Sequence, residues 1–174
     1  MPNKVKHFAW RACNNALPTM ANLAHRNISP FDVCELCKTA PKDTFHALWA
    51  CSKLEEVWNM LSWTQSATHT HPLSFNNLLD CFLQVQEDFR KEFFIMVAWT
   101  IWNRQNALKF GHPTVSVDYI IPKVGALLQE FLAAQDRPTE VPPPPQLLFF
   151  TSGILQSSRI TKPILMRRFS DKAP

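Results

Sequence analysis

Apolar residues at positions 5, 8, 9, 12, 13, 16 and 17 recur at the three- and four-residue steps of an amphipathic helix, so the chain is expected to open as one. Pro18 is expected to end it, and Thr19 to cap a shorter second helix carrying Met20, Leu23 and Ala24. Asn27 to Pro30 and the proline-containing stretch Lys38 to Lys42 read as loops. Asp43 and Thr44 suit the cap of a helical turn that carries His46. Because Cys51 follows His46 by five positions, one of the two must lie at or beyond the end of that turn. Ser52 with Glu55 has the form of a capping box. It is followed by Leu54, Val57, Trp58 and Leu61 on one helical face.

The pattern then breaks. Ser62 to Pro72 is polar and reads as an exposed loop whose His69 and His71 lack a third ligand and are expected to be plain surface residues. Ser74 is expected to cap a helix through Phe75, Leu78, Leu79, Phe82 and Leu83. Glu87 to Phe110 is the longest helical candidate, with acids in its first turn, Lys109 in its last and Gly111 just beyond. Its centre, Phe93 to Trp102, is apolar nearly all round, which predicts a central, buried helix rather than a stacking platform for bases. Ser116 opens a last helix through Val124, Leu127, Leu128, Phe131 and Leu132, with Pro122 either in its first turn or kinking it. Beyond Asp136 the periodicity is lost in Pro138, the run Pro142 to Pro145 and a serine-rich basic tail. The expected fold is mainly α. A helical zinc-knuckle module over 1–62 precedes a helical extension over 63–136 and a Pro-rich, poorly ordered tail over 137–174.

Composition narrows the class. With 46% hydrophobic residues the 174-residue chain has a globular composition with ample material for a core, while 3 Gly against 14 Pro is unusual and, with four of the prolines in the run Pro142 to Pro145, implies that the chain is not uniformly folded. A net charge of +4 is a mild basic bias, compatible with a polyanion partner without demonstrating one. Five cysteines, an odd number, and no apolar leader after Met1 point to reduced thiols and an intracellular protein, nuclear or cytoplasmic. The most apolar segment, Phe93 to Trp102, is too short to span a bilayer, so no membrane anchor is expected. Cys13 and Cys81 have no ligand-spaced neighbours and are expected as small buried hydrophobes.

The remaining cysteines carry the chemistry. Cys34, Cys37, His46 and Cys51 follow the spacing C-x2-C-x8-H-x4-C. A C-x2-C pair sets two thiolates on one metal, and a His and a third Cys complete the tetrahedral sulfur and nitrogen shell that Zn²⁺ prefers. Two alternatives stand beside this reading. Cys34 and Cys37 could form a redox dithiol, which would call for a βαβ context that the flanks lack, or the four residues could be unrelated. A shell filled by four protein ligands leaves no open position, so the expected Zn²⁺ is single and structural.

Around these ligands the chain resembles the zinc-binding region of plant LINE-type non-LTR retroelement reverse transcriptases. The resemblance is carried by Pro2-x-Lys4-x-x-x-Phe8-x-Trp10, by Leu17-Pro18-Thr19 and Leu23-x-x-Arg26, by the Cys34/Cys37 pair, by Thr44-x-His46-x-Leu48-x-x-Cys51 and by Trp58. Trp99 to Asn106 is similar to a Trp-x-Ile-Trp-x-x-Arg-Asn segment found downstream in such elements, with Gln105 where Arg is usual. The resemblance implies an accessory module of a reverse transcriptase polyprotein, separated from the polymerase and from an RNase H domain. Pro142 to Pro145 is similar to the linker that precedes RNase H, but residues 146–174 lack the spaced acids of two-metal chemistry. No catalytic residues are therefore expected. The implied function is nucleic-acid binding, to RNA or DNA, and Lys4, Lys6, Arg11 and Arg26 supply positive charge for it, with His25 nearby. A solvated basic helix face would explain the same residues. The alternative function is a protein-interaction scaffold that docks the polymerase or RNase H domain.

Overall fold

The computed structural model describes residues 1–65, 72–83 and 89–135, and these lie in one unit, Met1–Pro138. The expected tail over 137–174, and His69 and His71, fall outside the described residues. Six α-helices follow one another among the described residues: α1 (Asn3–Cys13), α2 (Met20–His25), α3 (Glu55–Asn59), α4 (Phe75–Leu83), α5 (Arg90–Lys109) and α6 (Ile120–Gln135). Short helical turns at His46–Ala50, Ser52–Leu54 and Ser62–Thr64 lie between α2 and α4. The described residues contain no strand, only an isolated antiparallel bridge between Val33 and Pro41, so the protein is mainly α as its periodicity predicts.

Helix α5 is the central element. It packs against α1, α4, α6 and the His46–Ala50 turn, and it buries Phe94 through Ala98 together with Thr100, Ile101, Trp102 and Gln105. A helix apolar on all sides has no face to give to water, which is why the neighbours surround it. Phe94 is the hub. Its ring centroid lies 4.5 Å from that of Phe82, 5.1 Å from Trp58, 5.9 Å from Phe75 and 6.0 Å from Trp49. One core thus joins residues on both sides of position 62.

The helix ends explain how so few glycines suffice. Helix α1 stops at Cys13 and not at Pro18, because Asn15 turns left-handed at φ 48° and the Ala16 amide donates back to the Arg11 carbonyl at 2.7 Å. Helix α2 ends the same way, with Asn27 at φ 57° and the Ile28 amide on the Leu23 carbonyl. Both are Schellman-type ends in which asparagine takes the place glycine usually fills. Gly111, at φ 69°, closes α5 as the sequence predicts, with the His112 amide on the Ala107 carbonyl. Thr19 and Ser74 cap α2 and α4 as expected, accepting from the amides of Asn22 and Asn77. Pro122 lies in the first turn of α6.

Three expectations fail on local geometry. The Ser52/Glu55 capping box does not form. Ser52 lies inside a 3-10 turn, and the extended residue before it, where a cap must sit, is Cys51, so α3 begins only at Glu55. Leu54, Val57, Trp58 and Leu61 are nevertheless buried on one face as predicted. Thr64, placed in the exposed loop by its polarity, is buried, and its hydroxyl donates to the carbonyls of Leu61 at 2.7 Å and Trp58 at 3.0 Å. Cys13 and Cys81 are half-buried rather than buried, and none of the five cysteines is in a disulfide.

Candidate metal centre

The first two ligands sit on a knuckle built by backbone hydrogen bonds. The Cys34 amide donates to Ala40, Lys38 to Cys34 and Lys42 to Asp32, at 2.8, 2.9 and 2.8 Å, which folds 32–42 into a tight reversal. Lys38, directly after Cys37, carries the positive φ, 63°, that lets the chain turn back. The reversal points the Cys34 and Cys37 sulfurs toward the same place.

The other two ligands come from a different device. Asp43 Oδ1 accepts from the His46 amide at 2.7 Å and starts the helical turn, as the sequence predicts. From His46 the turn is a π-helix, in which the Cys51 amide donates to the His46 carbonyl at 3.1 Å. A π-turn spans five residues, so it closes the five-position step from His46 to Cys51 where an α-turn would fall one short. Cys51 sits just past its end in extended conformation. Thr44 is buried and its hydroxyl donates at 2.7 Å to Asn15 Oδ1, which ties this turn to the end of α1. Asn22 Nδ2 joins the same corner by donating to the Asn15 and Leu17 carbonyls.

Knuckle and turn bring all four ligand atoms within 4.8 Å of one another. The Cys34 and Cys51 sulfurs are 3.9 Å apart, and Cys37 Sγ is 3.3 Å from His46 Nε2. Zn–S and Zn–N bonds of about 2.3 and 2.0 Å in a tetrahedron place ligand atoms about 3.5–3.8 Å apart, so the cluster fits zinc with small adjustments. Cys34 and Cys51 are buried, Cys37 and His46 half-buried. The gathering of all four, with no βαβ unit around them, is what one metal requires and neither a dithiol nor chance placement does. The residues hold one structural Zn²⁺ with a closed Cys3His shell.

The thiols are unlike one another. Hydrogen bonds from Thr39, first its hydroxyl at 3.2 Å and then its amide, bring the Cys37 thiol down to about 5. Burial, first, and the neighbouring Cys34 sulfur push the Cys51 thiol up to about 12. At neutral pH the metal-free site therefore offers a thiolate at Cys37 and a protonated Cys51, and zinc must displace at least the Cys51 proton. Zinc affinity should accordingly rise by at least about tenfold per pH unit near neutrality, since one proton leaves per metal bound. Below about pH 5, where Cys37 also protonates, the dependence should steepen. Competition against a chromophoric chelator across this range measures it, and an affinity indifferent to pH would contradict it.

Two supporting residues were not legible as such. Lys42, assigned to a loop, is buried beside the sulfurs. Burial lowers its pKa, while the charges of Cys34 and Glu35 pull it upward, so it lies within electrostatic reach of the cluster. Gln105 on α5 donates through Nε2 at 2.7 Å to the Ala47 carbonyl, within the π-turn itself. It ties α5 to the carbonyl of the second residue of that turn. The signal for Asn15 and Asn27 was present, an Asn just past a helical pattern, but no local signal announces a bond between residues 58 positions apart.

The proposed phosphate contacts divide into two kinds. Lys4 holds its ammonium 4.9 Å from the Trp99 ring centroid, and Arg11 donates through Nη2 and Nε to the Ala16 carbonyl at 2.9 and 3.3 Å. Lys6 and Arg26 are exposed. His25 is exposed in the last turn of α2.

Residues 1–58 match the family described as zinc-binding in reverse transcriptase. The matched stretch runs from α1 through the knuckle and the π-turn to Trp58, and so contains all four ligands. That family is described as a zinc-binding region, which agrees with the four ligands gathered here. No curated protein and no solved structure matches the chain. Among the described residues no helix is long and apolar enough to cross a membrane.

Proposed function

We propose that this protein provides the zinc-stabilised accessory module of a plant LINE-type non-LTR retroelement reverse transcriptase, that it binds nucleic acid, and that it performs no chemistry of its own. The module spans 1–62 and the helical extension 63–136. The observation that carries the reading is the closed Cys3His cluster inside the matched residues 1–58. A closed shell supports structure and leaves no site for an activated water. The order of motifs from Pro2 to Trp58, with Trp99 to Asn106 downstream, supports the retroelement type.

For nucleic acid the support is charge. Lys4, Lys6, Arg11 and Arg26 lie in a stretch, residues 1–31, that contains no Asp or Glu at all. Phosphate neutralisation by such residues supplies most non-specific affinity. The docking alternative would use the aromatic stretch 93–102, but that stretch is buried or half-buried in the core. The reduced thiols suit an intracellular setting, where zinc thiolates persist.

A titration of the zinc-loaded chain with labelled single strands at two salt concentrations tests the reading. Binding at low salt that weakens steeply as salt rises is the expected result, and Lys6→Gln with Arg26→Gln should weaken it at unchanged zinc content. Absence of binding at low salt would remove nucleic acid from the account.

A further inference from the structure

A second basic surface lies largely outside the matched residues. A cleft of about 640 Å³ opens between α5, α6 and the loop at 113–115, and Lys4, Trp99, Asn103, Arg104, Thr114 and Lys123 are among the residues that line it. Three cations from three helices meet there, and among the described residues no acidic one lines the cleft. Arg104 donates through Nε to the Val115 carbonyl at 3.0 Å, which fixes its guanidinium against the loop wall. Asn103 donates through Nδ2 to the Trp99 carbonyl, leaving its side-chain oxygen as an acceptor. The Lys4 ammonium sits over the Trp99 ring, so charge and aromatic surface share one wall.

We propose that this cleft binds a single-stranded nucleic acid, with Lys4, Arg104 and Lys123 contacting its phosphates and the Trp99 indole packing against a base. The inference rests on the nucleic-acid reading given above and extends it from α1 into the helical extension. Charge complementarity favours a polyanion, because like-signed charges lining a concave wall focus the potential. The aromatic ring favours a strand with accessible bases over an acidic peptide, since every base offers a face to stack. A cleft of this volume takes nucleotide units of one strand and not a duplex. Lys4 belongs both to the cleft and to the basic N-terminal stretch, which makes the two surfaces continuous.

The test uses the full zinc-loaded chain and a labelled oligothymidylate of about twelve nucleotides, within the span such sites occupy. Lys123→Gln should weaken binding about threefold or more and lower the magnitude of the salt slope by about 0.7, the value of one phosphate contact on a single strand. Lys123→Arg should restore both. Zinc content and circular dichroism should not change. Unaltered binding by Lys123→Gln, with Lys6→Gln still weakening it, would overturn the cleft while leaving the N-terminal reading in place. A parent chain that fails to bind overturns both. Competition by polyglutamate, or by thymidine monophosphate at equal phosphate concentration, as effective as unlabelled oligothymidylate would overturn the strand as occupant. An RNA oligomer run in parallel reports which strand is preferred.

Discussion

Cys51→Ser should abolish stoichiometric zinc binding and lower the unfolding free energy by about 3 kcal/mol or more, because in small metal units the binding free energy is folding free energy. Cys51 ends the π-turn, lies at the join to the Ser52–Leu54 turn, and is buried against the core. Losing the metal at this point loosens the knuckle from the turn, since the ligand cluster joins the two. Chemical denaturation of the variant should superimpose on that of the parent chain stripped by a strong chelator. Cys81→Ser is the control. Cys81 is half-buried on α4 and lies outside the ligand cluster, so the change should cost within about 1 kcal/mol and leave zinc in place. Equal stability of Cys51→Ser and the parent chain would mean that the metal does not hold this fold.

The second large effect is expected from the core and not from the metal. Phe94→Ala removes a fully buried ring that touches four other aromatic rings, two of them, Trp49 and Trp58, within the matched residues and two, Phe75 and Phe82, on α4. Deleting a buried Phe costs about 3–5 kcal/mol, the upper end applying where neighbours cannot collapse into the void. Large flat rings anchored on three separate elements collapse poorly, so about 4 kcal/mol is the expectation here. The variant should still bind one zinc per folded chain, because no ligand lies on α5. A loss below about 1 kcal/mol by denaturant titration would show that α5 is not the element around which the helices pack.

These two variants separate what the sequence made legible from what it hid. The apolar period of α1, the all-round apolar character of α5 and the turn chemistry of Thr19, Ser74 and Gly111 are local signals, and the structure follows them. The ligand set was equally legible, because metal chemistry restricts which residue types at which spacing can share one ion. The misreadings arose where one residue had two roles open to it. Ser52 and Glu55 spell a capping box, yet the extended position belongs to Cys51, and Cys51 is committed to the sulfur cluster. Thr64 reads as surface by polarity, yet its hydroxyl finds two carbonyls and is buried at no cost in unpaired groups. Gln105 and Lys42 were invisible as supports, since the first acts across 58 positions and the second is buried only once the knuckle folds back over it. The π-turn stands between these cases. Its five-residue step is written in the sequence, but only the His46 to Cys51 hydrogen bond shows how the step is closed.

The coordination of the metal is the most direct test of the whole account. X-ray absorption at the zinc edge, on the purified chain with its metal content measured in parallel, should give one zinc per chain bound by three sulfurs at about 2.3 Å and one nitrogen at about 2.0 Å. Substituting His46 should remove the nitrogen, and substituting Cys34, Cys37 or Cys51 should remove a sulfur. A chain that purifies and refolds without zinc, or a shell of oxygen ligands, would contradict it.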